Sequence, residues 1–489
     1  MVSLLTIWLF LAAAQNPTHD SAAQLNAAGT ELLKQDRLRE AEERFRKALE
    51  ADPENVDALS NLGVSLRQQH KYVEAIELFQ RALRLRPQDA RIHSNLGLAL
   101  RGAGQVNDAL GELRQAAAMA PQDAAVRRNL GVVLWEVGED TPAETELRAA
   151  LKLDGASADS HQALARLLAR AKRSAEAFEE YHAALRLAPQ QPALHFELGK
   201  LHQANGDLKQ AVEEFRAAIR LDGRRADYHQ AVGAVALQLD DLTTSEDELR
   251  QALKLDSQSG EAHRDLGAVL RRQGKLTESI AELRRAAELL PGDSATHFML
   301  AQTLQKAGRA EEAAAELRAA EENSRVAKDV TLAKAYNNEG TALLQAGHVD
   351  EAAGKLREAI SLNPNDPLAQ YNYGVALLLQ NKVDEAISQL QTALRLKSDD
   401  PDTHYYLGRA FLAKGEDKEA AASLREAVRV APGDARAHNA LGVALAAGKN
   451  LAEAEMEIRA AGRLEPDNAL FGANLACLEK RLQGCALAP

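Results

Sequence analysis

The chain has 489 residues, 27% of them charged, 46% apolar and only 4% aromatic, with a formal net charge of −12. This acidic balance, without aromatic interleaving, argues against a nucleic-acid binder and fits a soluble protein rich in helix-forming Ala, Leu, Glu, Arg and Gln. Length alone suggests about three domains, an expectation that internal repetition overrides.

The N-terminal stretch Val2–Leu11, VSLLTIWLFL, is closed by Ala12, Ala13 and Ala14, which offer a small-residue cleavage site before Gln15. A secretory signal peptide is expected over residues 1–14, placing the protein outside the cytoplasm, periplasmic or secreted, and in the cytoplasm if the segment has another role. The start of the run carries no Lys or Arg, which counts against a signal. Its apolar length falls short of the roughly 20 residues a membrane span needs, so no stable span is expected after cleavage. Residues 15–21 read as a linker ending in a helix N-cap signal at Asp20 and Ser21.

From Ala22 the chain repeats itself. In Val56–Asp89, Leu62, Gly63, Ala75, Phe79, Ala82 and Pro87 mark fixed places of a thirty-four-residue unit. The place of Gly63 recurs at that spacing from Gly29 to Ala301, then after a step of thirty-nine at Gly340, and again at Gly374, Gly408 and Gly442. Counted from the start of a repeat, position 20 is Ala in eleven of thirteen and Ser245 or Ser279 in the others, while position 27 is Ala in all thirteen. Position 24 is always large and apolar, and position 32 is Pro in eight repeats. Two antiparallel helices approach to about 8–10 Å only where the side chains between them are short. Positions 8 and 20 therefore mark the helix crossing, position 24 fills the gap beside it, position 27 admits the next repeat, and Pro stops the second helix.

Over residues 22–467 or so this pattern resembles the tetratricopeptide repeat family, whose period and Ala, Phe and Pro places it shares. The resemblance implies an all-α fold, a right-handed superhelical solenoid of about thirteen helix-turn-helix units with a C-terminal capping helix. Repeats 1–9 take residues 22–327. After a five-residue insertion, repeats 10–13 take 328–468, and a capping helix and tail take 469–489. The insertion is expected to lengthen the second helix of repeat 9 and to shift the array there.

Cys477 and Cys485 both lie in the tail. Along a helix they would stand ~12 Å apart, so a disulfide requires the chain to turn back at Gly484; two free thiols is the preferred reading. Position 4 is His in eight repeats, at His93, His161, His195, His229, His263, His297, His404 and His438. Equivalent residues of successive helices stand too far apart to share one metal ion, so a structural role replacing the family's aromatic at the seam between repeats is expected, with no metal and no cofactor. No catalytic motif is present, and an enzyme is not expected.

In this family partners bind in a concave groove along the first helices, at positions 2, 5, 9, 12 and 13. Here those positions carry fifteen bases (Lys34, Arg67, Arg91, Arg101, Arg128, Arg166, Arg170, Lys200, Arg264, Arg271, Arg272, Lys306, Lys334, Arg409, Arg436) and six acids, net +9 on an acidic chain. Seven of the bases stand at positions 12 or 13, near helix C-termini that favour cations on their own account. At position 6, Asn61, Asn95, Asn129, Asn338 and Asn372 are similar to the asparagine ladder of O-linked N-acetylglucosamine transferase superhelices, which implies amides that read a peptide backbone. Repeats 5–9 interrupt the ladder, and adding position 6 lowers the face to net +7 through Glu197 and Asp265. The two-lysine chaperone-tail clamp is absent, Asn26 and Thr30 standing where it would need Lys and Asn. Trp135, Phe196, Phe298, Tyr371 and Tyr405 are candidate apolar anchors.

The expected function is a non-catalytic interaction scaffold holding extended or acidic protein segments, and not nucleic acid. The alternative is a substrate-recruiting component of a glycosyltransferase system without its own catalytic domain. The residues named for the groove are Asn61, Asn95, Asn129, Arg128, Arg166, Arg170, Lys200, Arg264, Arg271, Arg272, Asn338, Asn372 and Arg409. Composition leaves the oligomeric state open.

Overall fold

The computed structural model describes residues 21–479 and 487–488; the expected signal segment lies outside them. Among the described residues there are twenty-six helices and no strand, arranged as helix pairs in the expected register. Contacts divide the chain into two compact blocks, Met1–Leu289 and Leu290–Pro489. The first contains repeats 1–8, the second repeats 9–13 and the terminal helix Ala469–Glu479.

Repeat 2 shows how the sequence forms a pair. The Asn55 side chain accepts the Ala58 N–H at 3.0 Å and starts the first helix, Val56–Gln68. His70 then takes a left-handed conformation, φ 61°, which reverses the chain into Tyr72–Leu85. Position 15 is left-handed in all thirteen repeats, and Gly in seven of them, because that conformation strains a side chain. A Cβ on Gly63 would lie 2.7 Å from the Phe79 ring, so only a residue without one lets the ring lie flat on the first helix. Phe79, Ala75 and Ala82 are wholly buried, as the period requires.

Repeat 9 departs from this plan. Its second helix runs without a turn into the first helix of repeat 10, forming one helix of 36 residues, Ala310–Gln345. The expected boundary at 327/328 thus falls inside a helix. No Pro or Gly interrupts residues 321–332, and Arg325 ties Glu322 at 2.6 Å and Asp329 at 3.3 Å along the same helix face. The first helix of repeat 10 therefore does not fold back over repeat 9. Leu317, at position 24, is 37% exposed, whereas its twelve counterparts are at most 3% exposed. Glu339 stands at position 7 of repeat 10, where repeats 2–9 and 11–13 carry Leu, Val or Tyr. Repeat 10 thus presents a polar flank at the place where a preceding repeat would otherwise have to dock.

A second periodicity lies between the second helices of the first block. Glu42, Glu144 and Glu246 share position 21 in repeats 1, 4 and 7. Each meets an Arg one turn on (Arg46, Arg148, Arg250) and a cation of the next repeat (Lys71, Arg173, Lys275) at 2.8–3.0 Å. Burial pushes the Glu246 carboxyl up, but hydrogen bonds from Lys275, Arg250 and Gln273 outweigh it and hold the group down at about 2, against an ordinary 4.5. A lowered folded value means that this stabilisation is full above pH 4.5 and fades as the pH falls towards 2. Glu246→Gln is accordingly expected to melt below the parent at pH 7 and alongside it near pH 2; a gap that does not narrow on acidification would contradict the linkage.

Candidate functional site

The face formed by the first helices is where the sequence places binding; position 13 is exposed in every repeat, and position 12 is half-buried in all but the ninth, where Gln305 is exposed. Position 5 belongs to the core in six repeats, where Ser60, Ser94, Gln162, Asn337, Tyr405 and Asn439 are buried.

Most of the predicted bases are already paired. Arg128 meets Asp159 at 3.2 Å, and Arg166 holds Glu197 through Nε at 2.8 Å. Arg170 pairs with Asp140, donates to the Trp135 carbonyl and stacks 4.7 Å over that ring. Arg264 reaches Asp265 at 3.3 Å and Arg272 reaches Asp240 at 3.1 Å; Arg271 is half-buried, with its pKa lowered by burial and by Arg272. Outside that set, Arg91 lies 3.7 Å from Asp57, Arg101 grips Glu136, and Arg436 lies 3.0 Å from Asp402. The uniform +9 reading is therefore corrected. Several of these carboxylates stand at positions 6, 15 and 17, off the counted set, and are brought within reach because neighbouring first helices lie side by side. Among the described residues Arg67, Lys200, Lys306, Lys334 and Arg409 have no carboxylate within ion-pair distance. Lys200 lies over the Phe196 ring at 5.4 Å, and Arg409 lies 5.7 Å from both the Tyr405 and the Tyr406 rings.

The asparagines divide in the same way. Asn61 donates to Asn26 Oδ1 at 3.0 Å and Thr30 Oγ1 at 3.3 Å. Asn129 donates to Ser94, and Asn372 to Asn337 and Thr341. These amide N–H groups lace position 6 to the preceding repeat rather than standing free. Asn95 is half-buried and Asn338 exposed. The terminal helix adds a residue that the sequence reading did not single out. Asn474, 3% exposed, donates to the Ala488 carbonyl at 2.7 Å and accepts the Ala488 N–H at 3.2 Å, while Asn439 donates to the same carbonyl at 3.0 Å. Asn474 stands thirty-five residues after Asn439, the same spacing as Asn61 after Asn26 and Asn372 after Asn337, so its place was readable in the sequence.

Ala488 is thereby held against the terminal helix. Cys477 is disulfide-bonded, which corrects the free-thiol reading for that residue; Cys485 lies outside the described residues. Of the proposed aromatic anchors, Phe298 stays open at 49% exposure; Phe196 stacks on Phe215 and Tyr228, and Tyr371 meets Tyr406 edge-on.

The position-4 histidines tie the two helices of their own repeat together and reach back across the seam to the end of the preceding repeat. In seven of the eight, Nδ1 lies 2.5–2.7 Å from a Glu nineteen residues on, as in His93–Glu112 and His438–Glu457. Nε2 lies against a carbonyl six residues back. Repeat 4 carries Arg127 there, and it makes the same two contacts, to Glu146 and the Pro121 carbonyl. His404, whose repeat has Ser423 in place of the Glu, keeps the carbonyl contact. No group of three or more His, Cys, Asp or Glu among the described residues could hold a metal ion, and no described helix is long and apolar enough to cross a membrane.

Family models described as "Tetratricopeptide repeat" match residues 26–90, 196–259, 233–294, 337–401, 380–435 and 405–469, and a second such model matches 100–167. No relative is found among curated protein sequences. Similar solved structures include the APC/C hetero-tetramer Cut9–Hcn1, at 14% identity over 94% of this chain and 96% of that one, TM-score 0.36. A tetratricopeptide repeat protein from Parabacteroides merdae is 17% identical over 51% of this chain and 98% of that one, TM-score 0.41. Pseudomonas aeruginosa pilF is 22% identical over 42% of this chain and 94% of that one, TM-score 0.37.

Proposed function

This chain belongs to the tetratricopeptide repeat family, and on that premise we propose that it is a non-catalytic scaffold whose first-helix faces hold extended segments of partner proteins. The observation that carries this reading is Asn474. Its amide takes both the N–H and the C=O of Ala488, which is how a side chain grips a peptide whatever that peptide's sequence. Acidic segments are the preferred class, because the bases left without a carboxylate, Lys200 and Arg409 among them, lie on this face beside aromatic rings. The disulfide at Cys477 and the N-terminal apolar run support an oxidising compartment outside the cytoplasm.

A fluorescein-labelled, glutamate-rich unstructured peptide tests the selection. With Lys200→Glu and Arg409→Glu combined, affinity is expected to fall about tenfold at low salt and the loss to shrink as salt is raised. Binding that ignores both the charge reversals and the salt would remove acidic selection.

A further inference from the structure

The first helices of repeats 2 and 3, Val56–Gln68 and Ala90–Gly102, leave between their C-terminal ends a 390 Å³ cavity lined by Arg67, His70, Tyr72, Leu98, Arg101, Gly102 and Glu136. Its wall is built. Gly102 sits in a helical turn where glycine is otherwise unfavourable, and a Cβ there would lie 2.7 Å from Tyr72 Cδ1, so its absence seats the ring. The Tyr72 hydroxyl is in turn held at 2.7 Å by His70 Nδ1.

The charges inside do not balance. Glu136 faces Arg101, with Nε at 2.8 and 2.9 Å from its two oxygens. Arg67 has no carboxylate within ion-pair distance among the described residues, and its Nε is buried without a hydrogen-bond partner. Burial, and then the charge of Arg101, lower the Arg67 pKa against the opposing pull of Tyr72. A half-buried guanidinium lacking both counter-charge and acceptor is an unfavourable state that an entering anion relieves. A flat oxyanion would meet the Arg67 fork with two acceptors at once.

The geometry points to an anion-binding site at Arg67 and Arg101 that takes one carboxylate- or phosphate-sized group. The site stands apart from the asparagine and aromatic contacts used above, so it can fail while the scaffold reading survives, and the reverse. The test uses the full-length protein at constant ionic strength, titrated calorimetrically with inorganic phosphate and, separately, with N-acetylglutamate amide. Arg67→Met removes the charge and keeps most of the stem; Arg91→Gln makes the same change of net charge at an exposed, already paired arginine. Binding of at least one probe to the parent is expected, weakened about tenfold or more by Arg67→Met and little changed by Arg91→Gln. Whichever probe binds more tightly assigns the source, an acidic side chain or a phosphoryl group. Absence of binding by both probes, or equal losses in the two variants, overturns the site. Melting in chloride alone checks it independently: Arg67→Met should melt at or above the parent, since it removes an unpaired charge, and a clear fall would make Arg67 a packing residue instead.

Discussion

Phe79→Ala is expected to destabilise the first block by about 3–5 kcal/mol, the usual effect of emptying a buried aromatic site. The ring is wholly buried and lies on Gly63, so nothing else can enter the space without moving a helix. Because each repeat is stabilised by its neighbours, the loss should be local before it is global. Amide protection should fall first across Val56–Gln68 and Tyr72–Leu85, while repeats at the far end of the block keep theirs. Leu85→Ala in the same helix is the comparison, since Leu85 is 42% exposed and its truncation should stay within about 0.5 kcal/mol. Similar unfolding midpoints for the two variants would mean that position 24 is not the wedge between the helices.

Val326→Pro should be nearly as damaging, at about 3 kcal/mol or more, because Val326 stands inside the 36-residue helix and proline both removes its N–H and clashes with the preceding turn. The substitution separates two architectures. In eight other repeats Pro stands at position 32, the place of Arg325 one residue earlier, where it ends the second helix without harm. If repeats 9 and 10 were joined by such a loop, Val326→Pro would be tolerated, and unchanged helicity and melting would show it. Loss of helical signal with a lower melting temperature is the result expected of a continuous helix.

The two variants probe features of unequal legibility. Gly63, Ala75, Phe79 and Ala82 were readable because a period states which side chains face another helix, and burial follows from that alone. The insertion before repeat 10 was visible as five extra residues, but its outcome rested on Glu339 and the Arg325 pairs, local details that let a helix continue where a turn was due. The His and Glu of positions 4 and 23 lie nineteen residues apart in one repeat, a recurrence the sequence carries but whose meaning depends on the fold that brings the two helices of a repeat face to face.

The amino-acid sequence by itself determined the repeat, the crossing of the helices at small residues and the membership of the family, since these depend on side-chain size recurring at a fixed interval. Only the tertiary structure decided which bases remain unpaired and which asparagine meets a backbone. Ion pairs and hydrogen bonds act over a few ångströms between side chains some thirty residues apart in the chain, so counting charges along a face cannot tell Arg166, joined to Glu197, from Arg67, which meets no carboxylate among the described residues.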